Sequence, residues 1–124
     1  LYAGYEALEA LKDIICRLPK VCIDHLGLEG RGLNLLELFV ADDVKVKVTG
    51  FGRLDFAPMP EIKKLYALNS SSLMFGTDLP STRAPVPFQD NDLYSMANTF
   101  DEQVLNDIFW LNARRFYKFD DNII

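Results

Sequence analysis

Hydrophobic and polar positions alternate strictly at residues 44–50, "VKVKVTG". β-branched residues every second position predict a strand over 44–49. Val44, Val46 and Val48 fall on one face, and Lys45, Lys47 and Thr49 on the other. Elsewhere the period is that of a helix. Tyr2, Tyr5, Leu8, Leu11, Ile14, Ile15 and Leu18 form one apolar stripe, predicting a helix with a single buried face that Pro19 ends. The stretch "KVCIDHLG" then reads as a strand over 21–25, closed by Asp24, His25 and Gly27. A helix from Gly32 to Ala41 turns Leu33, Leu36, Phe39 and Val40 inward. After a loop with Gly50, Gly52, Pro58 and Pro60, a further helix runs from Glu61 to Asn69. A third strand, 73–77, opens "LMFGTDLPSTRAP". A polar, proline-rich segment leads to Asp90 and a short helix over Asn91 to Ala97. The last helix starts at Thr99, where Thr99 and Glu102 have capping-box spacing, and buries Val104, Leu105, Ile108, Phe109 and Leu111.

Helices alternating with strands imply an α/β fold with parallel strands and right-handed crossovers. A doubly wound sheet buries both faces under helices, where Lys45 and Lys47 would be costly. In a (β/α)₈ barrel only the outer face meets helices, and the inner face can be polar. The lysines therefore point to a TIM barrel. Because such barrels close with about eight strands, the expectation is a partial one. The reading is a single domain over 1–124, the carboxyl-terminal part of a barrel, with two open strand edges and an uncovered inner face. A chain opening on Leu1, already in mid-helix, fits a missing amino-terminal part. The alternative is self-association.

Composition narrows the partners. The chain has 124 residues, 49% of them hydrophobic, and a net charge of −5. That is ample core material for one domain. The acidic balance argues against nucleic acid or an anionic membrane, both of which favour a basic face. No apolar run approaches the ~20 residues of a spanning helix, and no signal-peptide pattern opens the chain. Cys16 and Cys22 have no zinc-site spacing and read as small core thiols, so a reducing cytoplasm is expected.

Alternation puts Val21, Ile23 and His25 on one face of the first strand, and Met74, Gly76 and Asp78 on one face of the third. If both faces point inward, His25 and Asp78 share the carboxyl-end mouth, where barrels keep their sites. They would converge on a metal, a water or a substrate. The plainer reading is an exposed strand terminus and a loop cap.

Four stretches carry a resemblance: "CIDHLG", "VKVKVTGFGRL", "MFGTDLPST" and "WLNARRFY". In this order and spacing, from about Tyr5 to Phe119, the chain resembles the amidohydrolase-related TIM-barrel hydrolases. It is most similar to the branch of lactone hydrolases of the 2-pyrone-4,6-dicarboxylate lactonase type. The resemblance implies that these are the last three strands and terminal helix of the barrel. His25 would then bind metal or polarise the substrate carbonyl. Asp78 would be general base toward the attacking water and, where a metal is present, a ligand. Arg53 would clamp a substrate carboxylate, Thr49 would line the mouth, and Lys47 would be a structural ion-pair partner. The small-molecule substrate would be a cyclic ester or related carboxylic compound. For a longer parent protein the resemblance implies a divalent metal such as zinc. The family's earlier strands bring further histidines, however, and this chain has one. The expectation is thus no cofactor in this chain alone, and a chain that by itself is inactive.

Two lesser motifs are set aside. "GLEGRG", Gly27 to Gly32, lacks the glycine order of a phosphate loop. "NARRFYKF" places cations at a helix end, where they complement the dipole. The rival functional class is a non-catalytic α/β module that self-associates through its open sheet.

Overall fold

The alternation in "VKVKVTG" builds the central strand of the molecule. A computed structural model describes residues 1–118; Phe119, where the resemblance ends, lies outside the described residues. Strand β2 (Lys45–Val48) lies between β1 (Cys22–Ile23) and β3 (Leu73–Phe75) in a three-stranded parallel sheet. Each strand is shorter than predicted. Cys22 pairs with Lys45 and Ile23 with Val46, while Val46 pairs with Leu73 and Val48 with Phe75. Paired residues of parallel strands share a face, so Ile23, Val46, Val48, Leu73 and Phe75 all point one way.

Helices α1 (Tyr5–Ala10), α2 (Lys12–Arg17), α3 (Leu33–Ala41) and α4 (Pro58–Leu68) surround this side. Leu36, Phe39, Ile62 and Leu65 join Ile23, Val46, Val48 and Leu73 in one core. Burying each such side chain contributes about 1.5–3 kcal/mol relative to exposure. Beyond β3 come α5 (Asp90–Thr99), α6 (Glu102–Asn106), a wide helical turn (Asp107–Leu111) and α7 (Asn112–Tyr117). Phe109 from the wide turn stacks on Phe75 with ring centroids 4.7 Å apart.

Several expectations need correction. The first helix is divided at Leu11, and only Leu8 and Ile15 are its buried residues. Leu11, Ile14 and Leu18 are exposed, because the helix meets the core along a narrower line than its apolar stripe. Thr99 does not cap the last helix. Asp101 does, its carboxylate accepting from the Val104 amide at 3.0 Å; the capping box is Gln89 with Asp92, one helix earlier.

Nor are the sheet edges bare. On β1 the Leu1 amino group donates to the Cys22 carbonyl at 2.6 Å, and the Asp24 amide donates to Leu1 at 2.9 Å. On β3 the buried Asn112 amide donates to the Leu73 carbonyl at 3.0 Å and the Ser70 carbonyl at 2.8 Å. These bonds satisfy backbone groups that an edge would otherwise offer to another strand.

Candidate active site

The face opposite the core carries Lys45, Lys47, Thr49, Met74 and Gly76. At its carboxyl end the chain leaves each strand abruptly. After Ile23 the backbone turns left-handed, with φ of 51° at His25, 50° at Leu26, 73° at Gly27 and 68° at Leu28. Asp78, beyond β3, also has positive φ, 63°. Such conformations cost a non-glycine residue about 1–2 kcal/mol, and strain of this kind collects at functional sites.

His25 therefore reaches the mouth by a route the sequence reading misassigned. By register Ile23 faces the helices, so simple alternation would send His25 there too. The strand ends at Ile23, and the left-handed turn swings the imidazole back over the sheet. Gly50 leaves room for it. A Cβ on Gly50, itself at φ 61°, would lie 2.6 Å from His25 Nδ1.

The side chains named from sequence come together here. Thr49 Oγ1 lies 2.7 Å from His25 Nδ1. His25 Nε2 lies 3.8 Å from Asp78 Oδ1. Arg53, from the 3₁₀ turn Phe51–Arg53, donates from Nε to Asp78 Oδ2 at 2.7 Å and from its other arm to the Thr82 carbonyl at 2.9 Å. Arg53 thus holds the carboxylate and its following loop. The expected carboxylate clamp on a substrate would have to use the donors that remain. Gly52 permits this arrangement, since any side chain there would collide with the Val86 carbonyl.

Burial lowers the His25 pKa below its ordinary value, against the opposing pull of Asp78. The imidazole is neutral at pH 7. Asp78 on the Nε2 side favours hydrogen at that nitrogen, so the Thr49 hydroxyl donates to Nδ1. The ring of Tyr2 meets His25 edge-on at 5.7 Å.

A trough of about 370 Å³ opens beside these groups, lined also by Asp24, Lys47, Met74 and Tyr117. Asp24 takes the inward position that alternation had given to His25. It pairs with Lys47 at 3.5 Å. Burial would lower the Lys47 pKa, but Asp24 and other neighbours outweigh it and raise the value. Lys47 is accordingly a charged ion-pair partner, as its position suggested. The register of β1 was the signal for Asp24, and sequence alone does not supply it. Tyr117 enters from α7, too distant in sequence for any local pattern to connect.

A divalent metal fits these residues poorly. His25 Nε2 and Asp78 Oδ1 are two donors where zinc takes about four ligands, and Arg53 already neutralises the other Asp78 oxygen. Among the described residues no cluster of three or more histidine, cysteine or acidic side chains is placed to hold an ion.

The molecule is thus an α/β protein with a polar site at the carboxyl ends of parallel strands. The chain belongs to the amidohydrolase family, whose model matches residues 3–119. No curated protein and no solved structure compared with it gave a match. Among the described residues no helix is long and apolar enough to cross a membrane.

Proposed function

We propose that this chain supplies the last strands of a (β/α)₈-type barrel and carries part of its hydrolytic site, acting on a lactone or related carboxylic substrate. Family membership suggests hydrolysis. One observation carries the assignment: His25 and Asp78 converge, each from a left-handed backbone turn, beside an open trough. Asp78 Oδ1, not engaged by Arg53, accepts the proton of an attacking water. His25, neutral with hydrogen on Nε2, donates to the oxyanion that develops on the carbonyl. Arg53 fixes the carboxylate, and its remaining donors meet a substrate carboxylate. Lys47 and Asp24 line the trough. No step is routed through a metal; an ion at this mouth would need further ligands from outside the described residues.

The inner face of the sheet, with half-exposed Lys47, supports either of two covers: the remainder of a barrel or a second copy of the chain. The alignment with a barrel family favours the first. The reading also keeps a reducing, cytoplasmic setting, with both thiols unpaired, although Cys16, expected in the core, is exposed; burial raises the pKa of half-buried Cys22 to about 11.

The test is hydrolysis of a lactone panel by protein carrying Asp78→Asn. Loss of a general base should lower kcat about 10²–10⁴-fold. Undiminished turnover on the best substrate would remove Asp78 from the reaction.

A further inference from the structure

A second cavity, of about 310 Å³, lies at the opposite, amino-terminal ends of the strands. Its walls include Lys20, Lys45, Arg115 and Lys118, with Asp43 as the one acidic residue among the described residues. That local excess of positive charge stands in a chain whose net charge is −5. Asp43 is already committed, accepting from Lys45 Nζ at 2.7 Å and Asn69 Nδ2 at 3.1 Å. Lys45 is neutralised by that bond, and among the described residues no other carboxylate lines the cavity beside the remaining cations.

Two of these cations are held in place by uncharged groups. Arg115 donates from one arm to Asn112 Oδ1 at 3.2 Å. Asn112 is 1% exposed and is itself tied to the Ser70 and Leu73 carbonyls. The guanidinium is therefore oriented by the sheet edge, with most of its donors left over. Lys20 Nζ sits 4.5 Å from the centre of the Phe116 ring. An aromatic face positions a cation without cancelling its charge. Fixed cations with spare donors are what a multivalent oxyanion requires.

We propose that this cavity binds a small multivalent oxyanion, a phosphate or a di- or tricarboxylate, at the end of the sheet opposite the hydrolytic site. Arg115 gives the directional hydrogen bonds, Lys20 and Lys118 give charge, and Pro19, Val21 and Phe116 bound the apolar side.

Inorganic phosphate and succinate, each titrated at constant ionic strength with chloride as the balancing anion, test this by calorimetry and by amide NMR shifts. Saturable binding of at least one is expected, with shifts at Val21 and Ser71 and none at Thr49 and Gly76. Phosphate alone binding would assign a phosphate group, and succinate alone a carboxylate pair. Lys20→Ala, which removes one charge from the cavity and, within the fold, only the contact with the Phe116 ring, should weaken binding about 10-fold, and Arg115→Ala more. Lys47→Met, at the other end of the sheet, should leave it unchanged, which keeps this test separate from that of the hydrolytic site. No saturable binding, or binding that Lys47→Met abolishes while Lys20→Ala spares it, would overturn the proposal.

Discussion

Asp78 and Glu61 are both shielded carboxylates, and the molecule treats them oppositely. Asp78 has a guanidinium 2.7 Å away and an imidazole on its other oxygen. Glu61, 5% exposed at the interface of α3 and α4, faces another carboxylate, Glu37. Its Oε1 is buried with no hydrogen-bond partner. The nearest cation, Lys64, reaches Glu37 only at 3.9 Å. Burial, then the hydrogen bond with Glu37, raises the Glu61 pKa to about 7. One acid is paired with a cation and placed at a trough. The other keeps its proton and lies between helices. Carboxylates near one another are thus no guide to a site; what matters is which counter-charge accompanies them and whether a cavity adjoins.

The largest effect should come from removing the counter-charge. Arg53→Met leaves Asp78 shielded and unpaired and frees the Thr82 carbonyl. Breaking a buried pair in this way costs roughly 3 kcal/mol, readable as a fall in the urea midpoint at pH 7. A midpoint within error of the parent would mean that water already satisfies Asp78, and the contrast with Glu61 would fail.

The second effect is one of pH, and its sign follows from Glu61. The folded protein holds this proton up to about pH 7, while the unfolded chain loses it near the ordinary glutamate value of 4.5. Stability from this group is therefore complete below about 4.5, falls as pH rises, and levels off above about 7. The total loss is about 3 kcal/mol. Glu61→Gln keeps a neutral side chain there, so its stability should be flatter over this window and higher than the parent's at pH 8. Equal slopes in urea titrations of the two proteins would contradict the assignment.

How much of this was legible in the sequence depends on what each pattern encodes. The alternation at 44–50 and the stripe at Leu36, Phe39 and Val40 report burial against one neighbour, and they gave the parallel α/β order correctly. They do not report where a strand stops. β1 has only Cys22 and Ile23 in the ladder, so extending its parity to His25 crossed a left-handed turn that non-glycine residues rarely adopt. Asp78 lay on the correct face because the ladder runs one residue past β3, the Gly76 amide donating to the Val48 carbonyl at 3.2 Å. The exposed Leu11, Ile14 and Leu18 show the same limit in helices, where an apolar stripe states what can be buried and not what is. Glu61 was hidden for the converse reason, since nothing in "PEIKKLYAL" marks its glutamate as the inward one.

A smaller effect follows from the close fit around His25. Gly50→Ala places a methyl against the imidazole in a left-handed backbone, costing about 1–2 kcal/mol. It should also shift the His25 ring resonances by breaking the contact with Thr49. A stability loss with those resonances unmoved would indicate backbone strain alone, and would remove Gly50 from the site.

The smallest effect is the most discriminating for the electrostatics of the mouth. Lys47 and Asp24 are 3.5 Å apart with side chains 38% and 26% exposed, and such a pair contributes only about 0–1 kcal/mol. Lys47→Met should hardly move the urea midpoint. Its charge nevertheless reaches His25, where it lowers the pKa alongside Arg53 while Asp24 and Asp78 raise it. Removing it leaves the upward pull of the acids less opposed, so the His25 titration, followed by NMR, should move upward. A downward movement would mean that Lys47 holds Asp24 close to the imidazole, so that removing the lysine takes away the acid's upward pull as well. The upward shift would instead establish that the trough works as one field, in which a pair of negligible worth to folding still sets the protonation of a residue proposed for catalysis.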